Sequence, residues 1–149
     1  MTDFAAQIEF LKQHSSYAQR WLNSRPEWVD WLRSQAALKV DVVGIRGLLR
    51  PCQDALAIPE QDEAQFMADL RLARQRLMLW IAFRDLNGMA DLSEVTHALS
   101  HFAEEALALS IAYIREDLQA RFGIPWSSVT NSEMPLMVVG MGKLGGLEL

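Results

Sequence analysis

The chain reads as mainly α: a helical bundle with two long antiparallel helices, followed by one strand and a glycine-rich turn. Three observations predict this. Apolar residues recur at helical spacing with little interruption from residue 62 to about 122. A break of only a few residues, around Gly88 to Asp91, divides that stretch, which makes its halves antiparallel neighbours. The last fifteen residues, Pro135-Leu-Met-Val-Val-Gly-Met-Gly-Lys-Leu-Gly-Gly-Leu-Glu-Leu149, carry an apolar run directly into a cluster of glycines.

The elements follow in order. Thr2 is read as the N-cap of a first helix whose apolar face is Phe4, Ile8 and Leu11. Pro26 sits where a first helical turn tolerates it, and Trp28, Trp31 and Leu32 mark one face of a short helix. Core packing explains these tryptophans better than a base-stacking platform, because no basic surface accompanies them. Residues 42–49 read as another short helix, capped by Asp41 and ended by Pro51, although Gly44 and Gly47 weaken it. Pro51 and Pro59 bracket a brief helical or turn segment, with a boundary near Pro59.

The first long helix spans 62–87, with Phe66, Leu70, Ala73, Leu77, Trp80 and Ile81 in a stripe and Gly88 as a left-handed C-cap. The second begins at Asp91, whose spacing to Glu94 resembles a capping box. Leu92, Val95, Leu99, Phe102, Ala106, Leu109 and Tyr113 line its face, and it stops near Gly123, just before Pro125. Residues 1–123 thus form a helical region and 124–134 a linker. Residues 136–139 read as a short buried strand, which needs partner strands that these residues do not supply.

Composition narrows the function. Half of the 149 residues are hydrophobic, as in a globular domain, and the net charge of −5 with a pI near 5.1 argues against a general nucleic-acid binder. No signal peptide and no membrane-length apolar run is apparent, so a soluble protein is expected. The single cysteine, Cys52, excludes an internal disulfide and suits a reducing cytoplasm; it reads as a small buried apolar residue.

Several constellations were weighed as sites. His97 and His101 stand four apart on the second long helix, a metal-binding spacing, but no third ligand accompanies them. His14 reads as a favourable charge at a helix C-terminus. Arg71, Arg74, Arg76 and Arg84, with Asp69 and Asp85, form either a solvated face with local ion pairs or, at Arg84 and Asp85, a support for the glycine turn.

The glycine turn is the strongest candidate. Gly142, Gly145 and Gly146 let backbone N–H groups approach a polyphosphate closely, and Lys143 adds a mobile cation. Gly140-Met-Gly142-Lys-Leu-Gly145 matches G-x-G-x-x-G after a strand, yet the dinucleotide fold also needs a helix, a second strand and an acidic residue about 20 positions on. No G-K-[S/T] makes it a P-loop.

From Val138 onward, Val-Val-Gly-Met-Gly-Lys-Leu-Gly-Gly-Leu-Glu-Leu149 resembles the first motif of the bifunctional glutamine synthetase adenylyltransferase/adenylyl-removing enzymes, G-M-G-K-L-G-G-x-E-L. Arg76-Leu-Met-Leu-Trp-Ile-Ala-Phe-Arg-Asp-Leu86 resembles the preceding helix in that family, and Asp91-Leu-Ser-Glu-Val-Thr-His-Ala-Leu-Ser100 continues the match. The resemblance implies that residues 135–149 begin a truncated nucleotidyltransferase-like α/β domain. It implies nucleotide or phosphate binding by Gly142, Lys143, Gly145 and Gly146, where Gly142 and Lys143 stand in place of a Gly-Ser pair of the wider superfamily. Leu147 occupies a position often filled by arginine. The family's magnesium-binding Asp-x-Asp is expected after Leu149, and no such pair occurs within the chain.

The lead-in and the Phe-Arg-Asp variant resemble the adenylyl-removing half of the family. The implied reaction is phosphorolysis of AMP from an adenylylated tyrosine of glutamine synthetase, giving ADP, with ATP, ADP, phosphate and a PII-type signal protein as further partners. The chain by itself is expected to be inactive. The alternative is a helical interaction module that docks on glutamine synthetase or a PII-type regulator and performs no chemistry.

Overall fold

A computed structural model describes residues 3–58 and 62–149. Seven helices lie among them: α1 Phe4–His14, α2 Ser16–Ser24, α3 Glu27–Gln35, α4 Val42–Leu48, α5 Arg50–Ala55, α6 Glu63–Leu86 and α7 Leu92–Phe122. None is long and apolar enough to cross a membrane.

Short polar side chains set most of the boundaries. Asp3 caps α1 by accepting from the Ala5 N–H; Thr2, the expected cap, lies outside the described residues. Ser15 divides α1 from α2, since its N–H donates to Leu11 O while its Oγ accepts from the Ala18 N–H at 3.1 Å. Asp41 caps α4 through the Gly44 N–H, and Asp62 caps α6 through the Ala64 N–H. Pro51 sits in the first turn of α5, where its missing N–H costs nothing. The boundary expected at Pro59 lies outside the described residues.

Helix α6 is the axis of the bundle and packs against α1, α2, α4, α5 and α7. Its first half presents a stripe, but from Leu77 to Arg84 burial spreads beyond one face: Leu79 and Phe83 join Leu77, Trp80 and Ile81 in the core. The expected single stripe therefore underestimates its burial. Phe66, near the start of α6, stacks on Tyr113 late in α7 with ring centroids 4.1 Å apart. Arg84, near the end of α6, pairs with Glu94 at the start of α7. These two contacts make the long helices antiparallel, with Gly88 at φ +67° turning the chain between them.

Gly44 is in α4 because of what it touches. A Cβ there would lie 2.6 Å from Cη2 and 2.8 Å from Cζ3 of the buried Trp80 indole. Gly44→Ala is expected to destabilise the bundle by about 1–3 kcal/mol through overpacking, despite its better helix propensity. Urea unfolding measures this. A Trp80→Phe background should relieve most of the cost, because the two sites are coupled by contact.

After α7 the structure departs from the expected linker and strand. Trp126–Ser127 and Ser132–Glu133 form a two-stranded antiparallel hairpin, with Trp126 opposite Glu133, inside the expected linker. Glu133 ties it to α7 by accepting from Arg115 and, at 3.3 Å, from Gln119. Residues 136–139, expected as a buried strand, are neither paired nor buried; Leu136 and Val139 are 72% and 73% exposed. The physical reason is that a strand needs a neighbour to satisfy its backbone, and none is within reach here.

Candidate functional site

Residues 140–148 fold into one tight turn. Gly146 N–H donates to Gly142 O at 3.0 Å, Leu147 N–H to Leu144 O at 3.2 Å and Glu148 N–H to Lys143 O at 2.7 Å. This is the hydrogen-bond pattern of a helical turn at the end of an extended segment. The N–H groups of Gly142, Lys143, Leu144 and Gly145 find no acceptor among the described residues, as at the start of any helix.

Two glycines are required by this geometry. Gly142 has φ +61°, in the left-handed region. At Gly145 a Cβ would come within 2.5 Å of Gly140 O, so the two ends of the turn meet only because residue 145 has no side chain. Lys143 is exposed and makes no ion pair among the described residues. Gly142, Lys143, Gly145 and Gly146 lie in this one turn with one exposed cation, but the Gly146 N–H is taken by Gly142 O and is not free for a ligand as the sequence reading expected.

The turn rests on α7. Leu144 and Gly145, with the apolar 136–140 run, face Glu104, Leu107, Ala108 and Ile111 across a groove, and Leu149 N–H reaches the fully buried Ser100 Oγ at 3.4 Å. The sequence reading gave none of these α7 residues a role at the turn. Ser100, a small polar residue on an apolar helix, was the available signal.

Arg84 and Asp85 do not serve the turn. Arg84 is buried rather than solvated; it donates to Glu94 Oε1 at 2.6 Å and Oε2 at 3.2 Å, to Ala36 O at 3.1 Å and to Met89 O at 3.0 Å. Asp85 is exposed. The Asp91–Glu94 box is only half made: Asp91 accepts from the Glu94 N–H at 2.7 Å, but the Glu94 carboxylate turns inward to Arg84 and to the Val40 N–H. Burial works against charge on Glu94, yet the hydrogen bonds from Arg84 and Val40 and the charges of Arg84 and Lys39 outweigh it, holding its carboxyl below the ordinary value.

The remaining candidates fall into structural roles. His97 contacts Ser93 Oγ at 3.0 Å and His101 contacts Glu104 at 3.2 Å. Among the described residues no three His, Cys, Asp or Glu side chains converge. His14 Nδ1 lies 2.8 Å from Phe10 O, in the last turn of α1. Cys52 is fully buried, and that burial, with Asp69 nearby, pushes its thiol up to about 11. Trp28 is buried and stacks on Trp21, as core packing requires.

Comparison with known proteins converges on one family. No solved structure matches the chain. Among curated proteins, it is 36% identical over 97% of its length to the bifunctional glutamine synthetase adenylyltransferase/adenylyl-removing enzyme of Ralstonia nicotianae. The proteins of the same description from Aromatoleum aromaticum and Thioalkalivibrio sulfidiphilus are 40% and 46% identical over 91% and 60% of the chain. The chain spans 15%, 14% and 9% of the length of these three relatives, respectively. The family model for glutamate-ammonia ligase adenylyltransferase matches residues 5–149, which include the helical bundle and the whole glycine turn. The chain belongs to the glutamate-ammonia ligase adenylyltransferase family.

Proposed function

We propose that this chain serves the adenylyl-removing activity of its family, in which phosphate attacks the AMP–tyrosine linkage of glutamine synthetase and releases ADP. The carrying observation is the turn at 140–148: free N–H groups at Gly142, Lys143, Leu144 and Gly145, and one unpaired lysine, arranged where an apolar segment enters a helical turn. Donors gathered in this way favour phosphate oxygens, and the lysine offsets their charge.

In this reading the bundle is the support. Helix α7 positions the turn through Ser100 and Leu107, while the Arg84–Glu94 pair fixes the start of α7. The turn holds the nucleotide phosphates, and magnesium is the ion that the family resemblance implies. Glutamine synthetase is the protein substrate and a PII-type signal protein the regulator, on the same family grounds.

Residues 136–141 are exposed, so the donors are not rigidly held. Ordering them on a ligand costs about 1–2 kcal/mol per residue, and nucleotide binding to the chain alone is therefore weak. Amide NMR of the chain titrated with ADP tests the site. Shifts centred on residues 141–146, diminished by Lys143→Ala, are expected at affinities on the order of millimolar. Shifts confined to the helices, or none at saturating ADP, would remove the turn from the phosphate-binding role.

A further inference from the structure

Away from the turn, α2, α3 and α6 assemble a stack of aromatic rings and guanidinium groups. Trp21 lies flat on Trp28, with centroids 5.6 Å apart and planes 20° apart. Arg25 covers Trp28 at 5.2 Å and Trp21 at 6.0 Å, Arg20 covers Trp21 at 5.9 Å, and Arg76 sits 5.6 Å from both Trp28 and Trp31. Tyr17, whose hydroxyl donates to Gln75 O at 3.3 Å, is flanked by Arg20 and Arg74.

Two features set this face apart. Its four arginines, Arg20, Arg25, Arg74 and Arg76, take no carboxylate among the described residues, and neither Glu27 nor Asp30 of the adjoining α3 comes within 4.0 Å of them. Elsewhere Arg46 pairs with Glu105 at 2.7 Å, Arg50 with Asp54 at 2.8 Å, Arg121 with Asp117 at 3.0 Å, and Arg115 with Glu133; Arg33 and Arg71 are also exposed without a carboxylate among the described residues, but neither lies over these rings. In a chain with 19 acidic and 14 basic residues, an unpaired group of four cations is a local concentration of positive charge. The second feature is a pair of covered donors, Trp21 Nε1–H and Arg76 Nε–H, that have no acceptor among the described residues.

We propose that this face binds a carboxylate-rich segment of a partner protein. The proposal is independent of the phosphate-binding role of the glycine turn. Stacking on indole rings pre-orders guanidinium groups, so less freedom is lost when their donors engage a ligand. A planar carboxylate accepts two parallel N–H bonds from such a fork. Nucleic acid fits less well: the ring faces are already covered by guanidinium groups or other rings, leaving no platform for a base, and the overall charge of −5 opposes a long polyanion.

Hexaglutamate, labelled for fluorescence anisotropy, is the probe for the 149-residue chain. It is expected to bind in a salt-sensitive manner and to lose at least about tenfold in affinity with Arg20→Gln/Arg74→Gln, both exposed positions, while Arg46→Gln/Arg121→Gln changes it less than about twofold. The charge-reversed Arg20→Glu/Arg74→Glu should gain affinity for hexalysine, an outcome that a folding defect does not produce. The proposal is overturned if hexaglutamate does not bind, if the two glutamine variants lose affinity equally, or if oligouridylate of equal charge or inorganic phosphate binds the face as tightly.

Discussion

Arg84→Ala is expected to cost about 3–5 kcal/mol of folding stability, because it leaves the Glu94 carboxylate charged and unpaired inside the bundle. The effect extends beyond one ion pair. Arg84 joins three places in the fold: the end of α3 through Ala36 O, the loop between the long helices through Met89 O, and the start of α7 through Glu94. Glu94 also holds the Val40 N–H. A loss of this size takes much of the 5–15 kcal/mol that stabilises a typical domain.

The pair also gives stability a pH dependence of definite sign. The Glu94 carboxyl is depressed in the folded state, so its contribution is fully present above the ordinary carboxylate value and is lost as pH falls through the lower, folded value. Glu94→Gln should flatten this acid limb in denaturant midpoints measured as pH is lowered. An unchanged acid limb would show that other carboxylates govern it.

Trp80→Ala is the second large effect, again about 3–5 kcal/mol. The side chain is 1% exposed, its Nε1–H donates to Gln35 O at 3.2 Å, and its ring meets the edge of Trp31 with centroids 6.5 Å apart. Truncation opens a cavity next to Gly44 and removes one of two hydrogen bonds to the Gln35 carbonyl, which keeps the Leu38 N–H at 2.9 Å. Chemical unfolding should show a lower midpoint with a similar slope; a loss below about 1 kcal/mol would mean that the core collapses around the missing ring.

The long helices were legible because their signals are local. Asp62, Gly88, Asp91 and Gly123 mark ends that hydrogen bonding and backbone angles confirm. The roles of Arg84 and Gly44 were hidden because they depend on distant residues. A sequence does not reveal that Arg84 finds Glu94 and the α3 end, or that Gly44 lies under Trp80. Ser15 was also missed, since a serine that ends one helix and caps the next leaves no gap in the apolar pattern. At the site, the glycines and Lys143 were visible as a motif. Their seat on α7 was not, because Ser100 acts only through a contact 49 residues away in sequence. The strand expected over 136–139 failed for a related reason: its apolar residues are strand-like, but pairing is a tertiary property.

The glycine turn is proposed to serve removal of AMP. The direct measurement uses a chimera in which residues 5–149 replace the matching segment of the Ralstonia enzyme, incubated with adenylylated glutamine synthetase, phosphate and magnesium while ADP release is followed. The account predicts ADP release by the chimera, none by the free chain, and a loss of about 100-fold or more with Gly145→Ala, since a Cβ there strikes Gly140 O and displaces the phosphate donors. Addition of AMP to unmodified glutamine synthetase should change little. ADP release that survives Gly145→Ala unchanged, or a Gly145→Ala chimera that loses AMP addition while retaining removal, would contradict the account.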